Sequence, residues 1–339
     1  EKDQFRTESL TIPHPQIAKR RFVLEPLLEL FPDGSDPITQ IPFRALLAAA
    51  PRSGVTRLDL SLSLEKPVFR FGVKTYTMGI LNLTPDSFSQ DGLYRENSAG
   101  QDDPSFTARV LTQSGEYLRA GASVLDLGAE STRPSFTPVP SEDELNRLLP
   151  AVRVIRDQYP KAVLSIDTTK AIVAEAALNA GADWLNDVSG GMRDPEMIPL
   201  AADANCPIVL MRAEPLTNDA TVIDQVLTQL DIIVNHALKQ GLRTDQIIID
   251  PGIGFGTSVW DNLEIIRNLD TLKKLGFPIL LGPSRKSVIG KTMQRDVNER
   301  IGGTAALVSA GVQAGCDLIR VHDVDIMDQA VRMCDLIWR

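Results

Sequence analysis

Short apolar runs alternate with longer amphipathic stretches along most of this chain. The run from Thr77 to Asn82 has the length of a β-strand, and Thr84-Pro85-Asp86 behind it favours a turn. Seven later runs repeat the arrangement, and they are Ser123 to Asp126, Ala162 to Asp167, Asp183 to Asn186, Pro207 to Met211, Gln246 to Asp250, Pro278 to Ser284 and Asp317 to Arg320. The pattern therefore predicts eight strands.

Between the strands, apolar residues recur at intervals of three and four, which is the spacing of an amphipathic helix. The predicted helices are Thr107 to Ala120, Glu142 to Gln158, Thr169 to Ala180, Thr221 to Lys239, Asn262 to Lys274, Ile301 to Ala314 and Asp325 to Trp338. Glycine stands between such a helix and the next strand at Gly121, Gly181, Gly241 and Gly315, as is typical of helix C-termini.

The regular alternation of strands and helices implies parallel strands joined by right-handed crossovers. Eight such units in about 260 residues favour a closed (β/α)8 TIM barrel, of the α/β class, over an open doubly wound sheet. No GxGxxG motif follows the first strand, which also disfavours a dinucleotide-binding fold.

The first part of the chain lacks this alternation, and we expect a short appendage at residues 1–52 before a barrel at residues 53–339. Leu10 to Pro13 has the pattern of a short strand. Phe22 to Phe31 has apolar residues at helix-compatible spacing before the turn Pro32-Asp33-Gly34.

Composition narrows the class of protein. The chain has 339 residues, 43% of them hydrophobic, which is enough for one large core and an appendage. Its net charge of -9 disfavours nucleic acid or an anionic membrane as the main partner, but not a small anion. The three cysteines form no CxxC pair, and no signal peptide or membrane-spanning run appears. We therefore expect the cytoplasm, or an organelle after processing.

In a barrel, the residues just after the strands converge at the carboxyl-terminal mouth, where barrel enzymes carry out their chemistry. The residues at these positions are Asn82, Asp126, Asp167, Asn186, Asp187, Met211, Asp250, Ser284, Lys286, Arg320 and His322. A single Asp or Asn after a strand is often only a helix cap. Several carboxylates and an amide together suit a flat heterocycle with adjacent N–H donors.

Two loops and the last strand add to this predicted pocket. Residues 250–256 contain three glycines, which permit close approach of a ligand and leave Phe255 as a stacking face. Residues 282–287 concentrate donors and two positive charges at a strand end, which suits a phosphate or carboxylate but also describes a solvated basic turn. Arg320 and His322 lie two residues apart, so both can face one anion.

These passages together resemble the dihydropteroate synthase family of the folate pathway. The matching passages keep the family's order over roughly residues 75–339, and they are Met78 to Ser89, Asp126 to Pro134, Ser165 to Thr168, Asn186-Asp187, residues 250–256, Ser284 to Ser287 and Arg320 to Asp323. The resemblance implies a transferase that condenses 6-hydroxymethyl-7,8-dihydropterin pyrophosphate with 4-aminobenzoate. It also implies that the protein is a homodimer. The pyrophosphate would leave first, without a covalent enzyme intermediate.

The resemblance also implies a role for each residue of the site. Those implied for the pterin are Asp167, Asn186, Met211, Asp250 and Lys286, with Asp126 near its inner edge. Those implied for the pyrophosphate are Asn82, Arg320 and His322, and Asn82 would also contact a Mg²⁺ ion. Those implied for 4-aminobenzoate are Phe88, Thr132, Arg133, Pro134, Phe255 and Ser284. The implied catalytic set is Asp126, Asp167, Lys286, Arg320 and His322.

The chain departs from the family pattern in four places. Gln90-Asp91 stands where the family has Asp-Gly, and Ser135 replaces the usual Gly after Arg-Pro. Arg212 stands where His is common, and Thr257 where Lys is usual. None of these changes removes a principal pterin or pyrophosphate group.

The amino-terminal segment has a resemblance of its own. Residues 8–50 resemble the carboxyl-terminal end of 6-hydroxymethyl-dihydropterin pyrophosphokinase, with His14 and Arg20 at positions that contact ATP phosphates there. The paired aspartates that would hold Mg²⁺ in that family are missing from this segment. We therefore expect a remnant, or a trimmed piece of a fused two-enzyme protein.

Two other classes of function share part of this pattern. A methyltransferase barrel that passes a methyl group from methyltetrahydrofolate to a corrinoid protein could share Asp167, Asn186 and Asp250, but it would not require residues 82–86 or 284–286. A barrel kept only as a binding or assembly module predicts pterin binding without turnover.

Overall fold

The computed structural model describes residues 5–6, 11–12, 23–24, 27–28, 31, 34–49, 69–84, 92–93, 104–130, 139–217 and 220–339. The chain divides into two compact units, Glu1–Leu64 and Glu65–Arg339. The sequence predicted this boundary near residue 52. Both positions fall in residues 50–68, which lie outside the described residues.

The first unit has a small apolar core of its own. Two short strands, Phe5–Arg6 and Thr11–Ile12, pair antiparallel, in agreement with the strand predicted at residues 10–13. A helix spans Phe43–Ala49. Its Phe43 is buried together with Leu24, and the residues that pack against this pair are Leu27, Leu28, Leu46 and Leu47. His14 and Arg20 lie outside the described residues.

The second unit contains an eight-stranded parallel sheet. Its strands are β1 (Tyr76–Asn82), β2 (Val124–Gly128), β3 (Leu164–Asp167), β4 (Trp184–Asp187), β5 (Ile208–Met211), β6 (Ile247–Asp250), β7 (Leu280–Leu281) and β8 (Leu318–Val321). Their order in the sheet is β6-β5-β4-β3-β2-β1-β8-β7, and a parallel bridge between Ile249 and Ile279 joins the two edge strands. The predicted (β/α)8 TIM barrel is confirmed.

The helices cover the outside of the barrel, with the larger apolar core between the two layers. They are α1 (Pro104–Ala120), α2 (Ser141–Gln158), α3 (Ala171–Asn179), α4 (Met197–Asp203), α5 (Val222–Lys239), α6 (Val259–Arg267), α7 (Ser287–Met293), α8 (Ile301–Ala314) and α9 (Val324–Trp338). Helix α8 ends at Gly315 with a φ of 89°, as its sequence predicted. In the part of the chain described, no helix is both long and apolar enough to cross a membrane.

Three local predictions differ from the structure. The helix predicted at residues 262–274 is α6 followed by a 3-10 helix, Leu269–Leu275. Helices α4 and α7 were not predicted, because seven residues give too few turns for a clear apolar period. The seventh strand is only Leu280–Leu281, since Pro283 interrupts the run predicted from 278 to 284.

The two-residue period of the strands explains why a polar site lies above an apolar interior. One buried cluster fills the inside of the barrel, and its strand residues are Tyr76, Met78, Val124, Val163, Trp184, Val209, Ile248, Leu280 and Leu318. Side chains two positions further along each strand must face the same way. Those that follow members of this cluster include Ile80, Asp126, Ser165, Asn186, Met211, Asp250 and Arg320. This next layer, at the carboxyl-terminal mouth, therefore contains five predicted site residues: Asp126, Asn186, Met211, Asp250 and Arg320.

Candidate active site

Carboxylates and an amide from three neighbouring strands meet at the mouth. Asp126 lies opposite Ser165, and Asp167 lies opposite Asn186, in the registers of β2 with β3 and of β3 with β4. Asn186 Nδ2 donates to Asp126 Oδ2 at 3.1 Å. All four side chains are buried, so the structure brings together the polar residues predicted to read a heterocycle.

Arg320 reaches these carboxylates from the last strand. Its Nε donates to Asp126 Oδ2 at 2.5 Å, and its Nη2 donates to Asp167 Oδ2 at 2.7 Å. The role predicted for Arg320, beside a pyrophosphate, stays a prediction. Its pairing with two carboxylates of the predicted pterin pocket was not foreseen.

Burial dominates the electrostatics of this group. It raises the pKa of Asp167 to about 7, an effect that Arg320 partly opposes and Asp126 reinforces. Burial also raises the pKa of Asp250, against the opposing effects of the Gly252 amide and Lys286. Burial alone would lower the pKa of Arg320, but Asp126 and Asp167 outweigh it and the net shift is upward. Arg320 therefore stays charged while Asp167 titrates near neutral pH.

Three buried oxygen atoms at the mouth have no hydrogen-bond partner among the described residues: Asp126 Oδ1, Asp167 Oδ1 and Ser165 Oγ. An unsatisfied buried polar atom costs about 1–3 kcal/mol, so each oxygen favours a donor or acceptor from a ligand or water. Adjacent N–H groups of a flat heterocycle would satisfy the carboxylates. Ser165 was not singled out from the sequence, although its position two residues before Asp167 places it on the same face of β3.

The glycine loop, residues 250–256, carries the next predicted contacts. Asp250 Oδ1 accepts a hydrogen bond from the Gly252 amide at 2.7 Å. Lys286 Nζ lies 4.3 Å from the centre of the Phe255 ring, within the range of a cation–π contact. An added Cβ on Gly254 would lie 3.1 Å from Lys286 Cδ, so the loop and the lysine are in close contact. Buried Met211 stands beside Asp250 in the strand register.

Arg212 holds the glycine loop by hydrogen bonds, although the sequence showed it only as a departure from the family pattern. The residue is fully buried. Its guanidinium donates to the carbonyl oxygens of Pro251 at 2.8 Å, Gly252 at 3.0 Å and Phe255 at 2.8 Å. Burial lowers its pKa, and Asp250 is the largest opposing influence. No sequence period could have located this contact, because it joins a strand end to a loop about forty residues later.

The predicted anion-binding residues lie on neighbouring strand ends. His322 Nδ1 is 2.9 Å from Ser284 Oγ, and the His322 amide donates to the same oxygen at 3.2 Å. The Tyr117 hydroxyl donates to the His322 carbonyl at 2.7 Å. Asn82 is half-buried at the end of β1, and its carbonyl accepts from the Leu93 amide at 2.9 Å. These contacts fix the backbone of both strand ends.

Two further residues have contacts that the sequence did not reveal. Arg285, grouped with Lys286 in the sequence as a charge for an anion, donates two hydrogen bonds to Asp323, at 3.0 and 2.6 Å. The pair links the loop after β7 to the end of β8. Asp187 accepts from the amides of Ser189 and Gly191, so it stabilises its own turn.

Four predicted residues of the aminobenzoate side, Phe88, Thr132, Arg133 and Pro134, lie outside the described residues, as do Gln90, Asp91 and Ser135. The described residues around positions 131–138 form one network. Lys170 Nζ lies 2.6 Å from Glu144 Oε2 and 3.1 Å from Glu130 Oε2, and it donates to the Val139 carbonyl at 2.7 Å. Glu130 Oε1 also accepts from the Val139 amide at 2.6 Å.

The described residues contain no group of three His, Cys, Asp or Glu side chains arranged to hold a metal ion. The predicted donor, Asn82, still fits Mg²⁺, because this ion usually takes one or two protein oxygens and completes its shell with water and substrate phosphate. Asn82, with an amide oxygen at the predicted pyrophosphate side, suits that arrangement.

Known proteins match this chain in both sequence and fold. Residues 78–322 match the family described as pterin binding enzyme. A dihydropteroate synthase of Synechocystis is 40% identical over 286 residues, covering 82% of this chain and 95% of that protein. The solved dihydropteroate synthase of Clostridium difficile, determined in the presence of pteroic acid, is 37% identical with a TM-score of 0.74, covering 80% of this chain and all of that one.

A longer relative extends over the amino-terminal unit as well. The folic acid synthesis protein of Pneumocystis carinii is 37% identical over 353 residues, which is 98% of this chain but 46% of that protein. This chain thus spans about half the length of that relative. By the extent and identity of these matches, the chain belongs to the pterin binding enzymes and, among them, to the dihydropteroate synthases, transferases of folate synthesis.

Proposed function

We propose that this chain condenses 6-hydroxymethyl-7,8-dihydropterin pyrophosphate with 4-aminobenzoate to give 7,8-dihydropteroate and pyrophosphate. The observation that carries the proposal is the layer of buried acceptors at the barrel mouth, where Asp126 and Asp167 each keep one oxygen without a hydrogen-bond partner among the described residues. A pterin presents adjacent ring and amino N–H donors that match such acceptors.

The pterin takes the pocket between the strand ends and the glycine loop. Asp167 and Asn186 face its edge from neighbouring strands, and Met211 supplies apolar contact. Asp250 and Lys286 approach from the other side, where the lysine already lies over Phe255. Because the pocket is desolvated, each charged hydrogen bond made there is stronger than in water.

Pyrophosphate departs only if its growing negative charge meets positive charges already in place. Arg320 and His322 supply donors there, since Arg320 lies on β8, His322 follows the strand two positions later, and His322 is held by Ser284. In this proposal Asn82 would hold Mg²⁺, and the ion would supply further positive charge to the leaving group.

Breaking the bond between the methylene carbon and pyrophosphate oxygen leaves a cation conjugated with the pterin. The buried carboxylate of Asp126 lies in the same layer and stabilises positive charge at that place. The amino group of 4-aminobenzoate then forms the new carbon–nitrogen bond and loses a proton. This weak nucleophile needs orientation, which we assign to Ser284, Phe255, Phe88, Thr132, Arg133 and Pro134.

The protein acts as a homodimer in this proposal. Helix α9 exposes Ile326 at 47%, Met333 at 60% and Ile337 at 57% of their surface, and their spacing of seven and four places them on one stripe. Analytical ultracentrifugation tests this state.

The compartment we propose is the cytoplasm, or an organelle after processing, since the free cysteines Cys206, Cys316 and Cys334 are buried thiols.

A pyrophosphate-release assay tests the proposed reaction. With the pterin pyrophosphate as substrate, release should depend on added 4-aminobenzoate and yield dihydropteroate. Pterin binding without turnover would favour a binding module, and methyl transfer from methyltetrahydrofolate to a corrinoid protein would favour the methyltransferase alternative. Either result would replace the proposed function.

A further inference from the structure

Arg212 is a charged residue inside the protein with neutral acceptors around it. Its side chain is fully buried at the end of β5. Besides the three carbonyls of the glycine loop, its Nη1 donates to the Glu214 carbonyl at 2.6 Å and lies 3.4 Å from Gln229 Oε1. Carbonyl groups rather than a carboxylate accept its close hydrogen bonds. Burying a guanidinium in this way costs free energy of desolvation, so we expect its contacts to have a structural role beyond packing.

The three loop acceptors span most of the glycine loop. Pro251 and Gly252 follow Asp250 directly, and Phe255 carries the ring beneath Lys286. The backbone of Arg212 also contacts the loop's first residue, since its amide donates to the Asp250 carbonyl at 3.1 Å. One residue therefore holds both ends of the segment between the predicted pterin carboxylate and the stacking ring.

The loop cannot hold this conformation by regular structure of its own. Gly252 has a φ of 67°, in the left-handed region, and a Cβ there would lie 2.0 Å from the Arg212 carbonyl oxygen. A loop of this kind needs external hydrogen bonds to its carbonyls, because buried carbonyl groups without partners are unfavourable. The planar fork of an arginine can serve several carbonyls at once, which a single ammonium group cannot.

We propose that Arg212 is a positioning residue for both substrates, which fixes the glycine loop so that Asp250 faces the pterin and Phe255 faces 4-aminobenzoate. The inference rests on the proposed function, because it takes the ligand at Asp250 to be the pterin. Arg212 itself touches neither substrate in this proposal. It acts through the loop, so its loss should weaken the binding of both substrates.

Arg156 provides a matched control elsewhere in the barrel. Its guanidinium also donates to backbone carbonyls, those of Pro160 and Ala162 at 2.8 Å and of Gly181 at 3.0 and 2.8 Å. These carbonyls precede β3 and β4, at the end of the barrel opposite the mouth. Loss of either arginine should lower stability, but only loss of Arg212 should affect the binding of the two substrates.

The experiment compares Arg212→Lys with Arg156→Lys by calorimetric titration with 6-hydroxymethyl-7,8-dihydropterin pyrophosphate, and by KM for 4-aminobenzoate. We expect Arg212→Lys to weaken pterin binding by about tenfold or more, because a misplaced loop loses oriented contacts. The KM for 4-aminobenzoate should rise by about threefold or more, because Phe255 moves with the loop, and Arg156→Lys should change neither quantity. Both variants should lower Tm.

Three outcomes would overturn this inference. They are unchanged pterin affinity in Arg212→Lys, an unchanged KM for 4-aminobenzoate in the same variant, and equal changes of both quantities in Arg156→Lys. If Arg212→Lys does not fold, Arg212→Met, which removes the buried charge, takes the place of Arg212→Lys in the same comparison. Failure of both variants to fold would assign Arg212 to the barrel core and would also overturn the inference. Wild-type binding separates this inference from the proposed function, because a chain that does not bind the pterin at all contradicts the latter.

Discussion

Arg320 Nη2 lies 2.7 Å from Asp167 Oδ2, so an arginine of the last barrel strand is paired with a carboxylate of the third. The pairing opposes the effect of burial on Asp167 but does not cancel it, and the pKa of that carboxyl rises to about 7. Asp167 therefore changes charge in the range where the protein is expected to work. The change in charge affects stability as well as binding.

The stability of the protein should fall as pH rises toward neutrality, in part because of Asp167. Its pKa is 3.8 in an exposed chain and about 7 in the folded protein, so the folded state binds more protons between these values. Stability falls with rising pH wherever the folded state holds the extra proton. Asp167→Asn lacks this titration, so the wild-type Tm should fall relative to the variant between about pH 5 and pH 7 and level off above about pH 8.

Asp325→Asn on the exposed side of the final helix is the matched control, and its Tm should follow the wild-type curve through the same range. Differential scanning calorimetry at several pH values makes the comparison. A constant Tm difference between wild type and Asp167→Asn from pH 5 to pH 8 would contradict the raised pKa.

Removing either of two charged groups from the pocket should strongly reduce activity. We expect Lys286→Ala and Asp167→Asn each to lower kcat/KM by at least about 100-fold, since a charged contact in a desolvated pocket contributes on the order of 3 kcal/mol. Steady-state kinetics with both substrates measures the loss. Lys291→Ala, on the exposed part of α7, should retain near-normal kcat/KM. Near-normal values in both pocket variants would remove the basis for the site assignment.

Arg320→Ala should weaken pyrophosphate binding more than 4-aminobenzoate binding. The guanidinium is proposed to meet the leaving group, and its loss also leaves Asp126 and Asp167 without their shared partner. Titration calorimetry with each ligand measures the two affinities, and Tm reports the loss of the buried pair. Equal weakening of the two ligands would contradict the assignment of Arg320 to the pyrophosphate.

The barrel and most of its mouth could be predicted because both depend on periodic patterns. Asp126, Asn186 and Asp250 each follow an apolar interior residue by two positions, so the strand period alone places them in one layer. The family resemblance then distinguished their roles from simple helix capping. Boundaries were predicted least well where an element is too short to show its period, as in the two-residue β7.

The supporting contacts could not be predicted, because they depend on which side chains meet across the fold. Arg212 was visible only as an unusual residue, and Arg285 only as a nearby charge. The structure shows that the first serves the glycine loop and the second pairs with Asp323. The Ser165 hydroxyl has no hydrogen-bond partner among the described residues. This too depends on the surrounding side chains, and no residue pattern indicates it.

The amino-terminal unit should have no pyrophosphokinase activity of its own within this chain. Phosphoryl transfer depends on metal-held phosphates, and residues 1–50 contain no carboxylate pair at the spacing that would hold the metal. Incubation with ATP and 6-hydroxymethyl-dihydropterin should therefore produce no AMP above a protein-free control. AMP formation that depends on the pterin would contradict the expectation that residues 1–50 lack this activity.

Gly252→Ala should damage the glycine loop far more than its backbone angle alone explains. Gly252 has a φ of 67°, and an added Cβ would lie 2.0 Å from the Arg212 carbonyl oxygen, so either the loop or the end of β5 must move. Gly276 has a similar φ of 79° but nothing within 4 Å of an added Cβ. Gly276→Ala therefore measures the left-handed strain by itself, roughly 1–2 kcal/mol.

The comparison of these two variants isolates the steric contact from the strain. Gly276→Ala should lower Tm by a few degrees and leave kcat/KM unchanged, because about 1 kcal/mol shifts Tm by roughly 2–4 °C in a domain of this size. Gly252→Ala should lower Tm further and also weaken binding of the pterin pyrophosphate, since Asp250 would be displaced with the loop. Equal effects of the two substitutions on Tm and on pterin affinity would show that the loop tolerates the added methyl group, and that its close packing on Arg212 is not required for the site.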